Sequence, residues 1–238
     1  MEEQNIAFDK MAEGYTDFLK DNLQNTGFDY DYVQRYKVID VLFEAQKRLQ
    51  TLQDINILNY GCGIGIADKY LRELFPSAHL VSCDISSESI KQAQKDNAEI
   101  NDLEYKLIDG KSLSFDKKFD VVFIENVMRH IPRANQVETI KMIKENLKDD
   151  GFIIMYEFNP FNPVAYYCYR KYDRSYDPEN VRIMTPGYSK KIFKSAGFDK
   201  REIIYRFFIP NCFKKLVGLE KYLKKCPIGA NYYLIASK

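Results

Sequence analysis

Apolar positions change their period along the chain. Phe8, Met11, Ala12, Tyr15, Phe18 and Leu19 recur at helical spacing and predict an amphipathic helix. After the polar break DNLQNTG, a second helix is expected from about residue 28 to residue 49. Beyond it the apolar runs shorten to strand length, at 55–60 (INILNY), 79–84, 103–108, 119–124 and 152–158. Helical segments lie between them. One gathers Ile66, Ala67, Tyr70, Leu71, Leu74 and Phe75 on a face, one opens on serine caps (SSESIKQAQ), and one carries Val137, Ile140, Ile143 and Leu147. Strands alternating with helices of this length predict an α/β fold with a doubly wound, mostly parallel sheet covered on both faces.

Past residue 158 the alternation loosens. The stretch 159–187 is rich in Tyr, Pro and Asp and too long for an ordinary connection. Its Tyr166, Tyr167, Tyr169, Tyr172 and Tyr176 suit a roof over an acceptor pocket, and equally a self-packed subdomain or a dimer contact. A helix near 188–196, the run REIIYRFFIP, a helix over 213–225 and the closing run NYYLIAS follow. The expected division is a helical lid over 1–50 and a main domain over 51–238, with 159–187 inserted on the acceptor side. In 213–225, Phe213, Leu216, Val217, Glu220 and Leu223 form a stripe among five lysines. It reads first as core-facing; the alternative is peripheral contact with an anionic membrane or a phosphate-bearing substrate.

Composition narrows the class. The 238 residues suffice for one large domain, and 35 basic against 34 acidic residues leave no excess of the kind nucleic-acid binders carry, so no nucleic-acid partner is expected. No apolar stretch approaches the ~18 residues of a membrane span. The polar, acidic start lacks the layout of a signal peptide, and a cytoplasmic location is the expectation. Five cysteines without a CxxC pair, together with only His79 and His130, argue for free thiols and no metal centre. Oligomeric state is left open.

Candidate chemistry begins at NYGCGIG. Gly61, Gly63 and Gly65 stand between the first strand and the next helix, where an open parallel sheet binds its ligands. Asp84 ends the second strand, 19 residues after Gly65, placed to accept from both hydroxyls of a ribose. Together they point to an adenosine-containing ligand. A dinucleotide loop wants a third small residue where Ile66 stands, so the G-x-G-x-G spacing departs from that fingerprint.

This spacing resembles the first motif of class I S-adenosylmethionine-dependent methyltransferases. FDVVFIENVMRHIP, NLKDDGFIIMYEF and the ending PIGANYYLIAS are similar to bacterial members of the type-11 and type-23 groups, so the resemblance runs over about residues 50–238. It implies a seven-stranded Rossmann-like sheet and S-adenosylmethionine as cofactor. By resemblance, Asp84 with Ile85 holds the ribose and Asp109-Gly110 meets the adenine. Glu125 and Asn126 line the methionine end, and Tyr15 and Arg35 lie near the cofactor carboxylate. Asn59 stands where the family carries an acid, so it can accept a hydrogen bond but brings no charge.

Methyl transfer needs alignment and exclusion of water, and a general base only for a hydroxyl or an acidic carbon. His130 and Glu157 are the candidate bases. Each also has a structural reading, His130 as a packed or capping ring and Glu157 as a carboxylate bonding the lid. The resemblance implies methyl transfer to a small-molecule, sugar or lipid-linked acceptor. Two rivals stand beside it: an oxidoreductase with a nucleotide cofactor, for which YCYRK (167–171) supplies a Tyr-x-x-x-Lys match, and a catalytically silent binding protein of the same fold, kept open by Asn59.

Overall fold

The protein is described by a computed structural model covering residues 30–170, 182–209, 215 and 218–238. The expected first helix with Tyr15, the tyrosines Tyr172 and Tyr176, and Phe213, Leu216 and Val217 lie outside the described residues. In chain order the elements are α1 (Tyr30–Arg48), β1 (Asn56–Tyr60), α2 (Asp68–Leu74), β2 (His79–Asp84), α3 (Ser87–Asp96), β3 (Leu103–Leu107) and β4 (Phe119–Glu125). Then come a short 3-10 turn (Met128–His130), α4 (Arg133–Glu145), β5 (Leu147–Phe158), α5 (Pro163–Cys168), α6 (Pro186–Ser195), β6 (Lys200–Arg206), α7 (Glu220–Leu223) and β7 (Asn231–Ser237).

The strands form one seven-stranded sheet in the order β3-β2-β1-β4-β5-β7-β6, with β7 antiparallel to both neighbours and the remaining pairs parallel. Alternate residues serve opposite faces, as the pleat requires. Ile57, Val121, Phe123 and Ile154 pack with Val41 of α1, Leu71 of α2 and Phe75 just after it. Leu58, Val122, Ile124 and Ile153 pack with Ile140, Ile143, Ile192 and Phe193 of α4 and α6. Burial on both sides explains why β4 and β5 read as unbroken apolar runs.

The chain leaves β1 toward β2 on one side and later crosses to β4 on the other. Between the ends of β1 and β4 the winding reverses, and that crevice is where such sheets place a ligand.

Two expectations change. The second half of the expected lid, α1, is a built-in layer of the core: Val33, Val38, Val41 and Ala45 are buried, and its Asp40 receives Arg206 Nε and Nη2 at 2.7 and 2.8 Å. The Tyr156 hydroxyl donates to the same carboxylate. Of the expected 213–225 stripe, the described part is the short α7. Glu220 there turns inward, accepting from the amides of Phe208 (2.9 Å) and Ile209 (3.2 Å). A carboxylate that satisfies two loop amides is a capping group, so its place in the stripe came from polarity rather than from apolar packing.

Candidate functional site

Why glycine recurs in this loop follows from its backbone and its neighbours. Gly61, Gly63 and Gly65 have φ of 71°, 54° and 72°, a region that L side chains enter only with strain. A methyl group on Gly61 would lie 2.4 Å from Val127 Cγ2, whereas one on Gly63 would meet nothing within 4 Å. The first glycine therefore lets the β1 and β4 ends close together, and the second leaves open space over the peptide.

The loop is tied down by β2. The amides of Gly61 and Cys62 both donate to the Cys83 carbonyl, at 2.8 and 3.0 Å. Gly63 N donates to Asp84 Oδ2 (2.8 Å), and Ser86 N donates to Asp84 Oδ1 (3.0 Å). A carboxylate offers about four acceptor positions. Two backbone amides fix the orientation of Asp84, which is then the kind of acid that also receives sugar hydroxyls. Ile85 follows, half-buried, before the Ser86 cap of α3.

Across the crevice, Asn126 takes φ 57°, a left-handed conformation that Asn tolerates better than most residues. Its Oδ1 is buried with no hydrogen-bond partner. A buried acceptor left alone costs about 1–3 kcal/mol, so this atom wants a donor from a ligand. Beside it, Glu125 accepts from Lys37 Nζ at 2.5 Å, both side chains being largely buried.

The remaining sequence candidates fall in different places. Asp109 is exposed at the end of β3, its Oδ1 accepting from the amides of Lys111 and Ser112 at 2.8 Å. Those two bonds hold its carboxyl below the usual range. Gly110 takes φ 69° in the same turn. The structure does not bring Arg35 to the crevice. It is exposed and pairs with Glu73 on α2 at 2.6 Å, because its position on α1 faces outward, while Lys37 two residues on faces in.

His130 follows β4 and Glu157 lies at the end of β5, both bonded to Arg129. Glu157 is fully buried and accepts from the amide of Arg129 at 3.3 Å. Burial pushes the His130 ring down to about 3, helped by the charges of Arg129 and Arg182. Arg129 Nε donates to His130 Nε2 at 3.4 Å, and its guanidinium lies over Phe158 at 5.5 Å from the ring centre. Phe158 stacks on Tyr169 at 4.6 Å, and Tyr169 on Tyr166 at 6.1 Å. Part of the tyrosine-rich stretch thus forms an aromatic wall beside Arg129.

Sequence reasoning missed Lys37, Asp68, Tyr105 and Arg129. For Lys37 a signal existed: it shares the inward phase of α1 with Val33, Val41 and Glu44, where a charge must have a buried partner.

Residues 57–151 match the family described as "Methyltransferase domain". The chain is 26% identical over 153 residues to a malonyl-[acyl-carrier protein] O-methyltransferase of Bacillus cytotoxicus, covering 64% of this chain and 52% of the relative. A second enzyme so named, from Ilyobacter polytropus, is 27% identical over 153 residues, covering 63% of this chain and 55% of the relative. The chain spans about half the length of the curated relatives it matches. Among solved structures, magnesium protoporphyrin IX methyltransferase from Synechocystis PCC 6803 with bound SAH superposes with a TM-score of 0.64, at 15% identity over 98% of both chains. That likeness bears on the fold. The fold is that of solved S-adenosylmethionine-dependent methyltransferases, and the segment matching the methyltransferase domain carries the glycine loop, Asp84 and the β4 end.

The oxidoreductase reading gains no support from the comparisons. The loop keeps Ile66 where a dinucleotide site needs a small residue. Among the described residues no group of three His, Cys, Asp or Glu is arranged to hold a metal ion, and no helix is long and apolar enough to cross a membrane.

Proposed function

We propose that the protein catalyses methyl transfer from S-adenosylmethionine to a carboxylate on a small or carrier-linked acceptor. The observation that carries the cofactor half is Asp84, oriented by Gly63 and Ser86 amides at the rim of a loop whose middle glycine faces open space. The orphan acceptor of Asn126 across the crevice fits the same group from its other end. When bound, S-adenosylmethionine supplies a methyl group already activated on its sulfonium. In this reading Asp84 holds the ribose, Glu125 and Asn126 border the methionine end, and Asp109 stands toward the adenine.

The acceptor half rests on charge. Arg129 and Arg182 both act on His130 beside the aromatic wall, with the Glu157 carboxylate at the Arg129 amide, and a guanidinium is the group that recognises a carboxylate by forked hydrogen bonds. A carboxylate acceptor is already deprotonated and needs no general base. That matches a His130 ring too weakly basic to take a proton near neutrality and a Glu157 sealed into the fold. His130 and Glu157 then shape the site: Glu157 fixes the Arg129 backbone, and the ring of His130 receives the Arg129 side chain. The relatives named as malonyl-[acyl-carrier protein] O-methyltransferases favour the same acceptor chemistry.

One experiment tests both halves. Titration calorimetry of the purified protein with S-adenosylhomocysteine should give saturable binding, weakened about ten-fold or more in Asp84→Ala, since charge-assisted bonds to the sugar are lost. Release of S-adenosylhomocysteine should then be stimulated by malonyl thioesters and related monoacids. Stimulation by sugars or polyprenyl phosphates, with none by carboxylates, would overturn the acceptor assignment; unaltered binding in Asp84→Ala would overturn the cofactor site.

A further inference from the structure

A carboxylate buried in the first turn of a packed helix is costly unless its hydrogen bonds compensate. Asp68 of α2 is fully buried beneath the glycine loop. Its Oδ1 accepts from Asn59 Nδ2 at 2.8 Å and from Ser82 Oγ at 2.7 Å, and its Oδ2 accepts from the Tyr105 hydroxyl at 2.7 Å. Asn97 Nδ2 donates both to that hydroxyl (2.9 Å) and to the Gly65 carbonyl (3.0 Å). The network closes on the third glycine. A Cβ on Gly65 would lie 2.6 Å from Tyr105 Oη, 2.7 Å from Asn97 Nδ2 and 2.8 Å from Asp68 Oδ2. One acid thus ties β1, β2, β3, α2 and the loop together.

The chemistry of the pair is directional. An ionised carboxylate only accepts, so the part of Asn59 that faces it must be the NH2. The Asn59 carbonyl oxygen is thereby committed to the other side of the amide. Burial pushes the Asp68 carboxyl up, but three donors on its two oxygens favour the ionised form, which brings to the base of the loop a charge that Asn59 lacks. A ligand reaching from Asp84 beyond β2 to Asn126 beyond β4 passes the end of β1, where Asn59 stands between Ser82 and Phe123 in register.

We propose that Asp68 is a positioning residue of the cofactor site: acid on the helix and amide on the strand act as one unit toward the charged amino-acid end of the cofactor. This rests on the S-adenosylmethionine reading above. A role confined to holding the fold would affect every adenosine ligand alike; a role toward the amino-acid end would not.

Calorimetry with two ligands separates these. S-adenosylhomocysteine carries the amino-acid group, and 5′-methylthioadenosine lacks it. In Asp68→Asn, affinity for the first should fall about ten-fold, the loss of a charge-dependent interaction, while the second stays within about two-fold. Asn59→Asp alone sets two carboxylates against each other and should melt at lower temperature without ligand. The exchanged double variant, Asn59→Asp with Asp68→Asn, restores one acid and one amide; it should recover S-adenosylhomocysteine binding to within about three-fold of the unaltered protein.

Equal losses for both ligands in Asp68→Asn, no loss in either, or a double variant no better than Asp68→Asn would overturn the proposal. If Asp68→Asn does not fold, the double variant decides by itself: a ratio of the two affinities matching the unaltered protein supports the unit, and a changed ratio overturns it. An unaltered protein that binds neither ligand would overturn the cofactor reading and this proposal with it.

Discussion

At Gly61 and Gly63 the same substitution should fail for different reasons. Both glycines have positive φ, so alanine at either costs about 1 kcal/mol of backbone strain. At Gly61 the added carbon also collides with Val127, whose position closes β1 against β4. At Gly63 it enters open space. Gly61→Ala is therefore expected to lower the melting temperature well beyond the few degrees that ~1 kcal/mol represents. Gly63→Ala should melt within those few degrees yet lose S-adenosylhomocysteine affinity, because in the proposed site the space it fills is the ligand's. Thermal melts with and without ligand check both. The glycine spacing was plain in the sequence; which glycine faces a neighbour and which faces the crevice was not, since the answer lies in Val127, 66 residues later.

At the scale of elements, α1 is held by charge as well as by apolar packing. Asp40 and Arg206 form a two-bond pair, and the Asp40 carboxyl also receives Tyr156. Burial pushes that carboxyl up, against the downward pull of Arg206. Removing one partner of such a buried pair strands the other, at a cost of about 3–5 kcal/mol. Arg206→Met is expected to destabilise the protein by that amount in urea unfolding, while Asp40→Leu combined with Arg206→Met should recover much of it.

The sequence pattern foresaw the first four strands, their parallel character and the helices between them with boundaries close to those observed, but it began the fifth strand at residue 152, whereas β5 starts at Leu147, a residue the pattern had given to the preceding helix. It grouped α1 with the preceding residues and did not show that its inner face packs into the core. Amphipathic spacing reports that a helix has an inner face, and only the ion pair to β6, far along the chain, shows what that face meets.

For the whole molecule, buried titratable groups set the response to pH. His130 titrates near 3 in the folded protein, against about 6.5 for an unconstrained ring. Below about pH 6.5 the unfolded chain binds a proton that the folded protein refuses, so this group's contribution to stability is present at neutral pH and is lost as pH falls toward 3. Asp40 and Asp68, whose carboxyls are raised by burial, work in the opposite sense. The comparison that isolates the histidine is a difference: His130→Gln should lose less stability than the unaltered protein between pH 6.5 and pH 4. The slope differs by up to about 1.4 kcal/mol per pH unit. Parallel stability curves for the two proteins would show that the ring is not held neutral.

Local order was written in the sequence because periodicity, caps and glycine spacing act over a few residues and follow from sterics and burial alone. These features were enough to place a loop, an acid and a crevice. Partner choice was decided by the tertiary structure. Whether Arg35 or Lys37 turns inward, whether His130 keeps a useful basicity, and whether Asn59 stands alone or with Asp68 depend on groups brought together from distant segments. Burial then sets the strength of each charge and each hydrogen bond, and burial is a property of the packed molecule rather than of any stretch of chain.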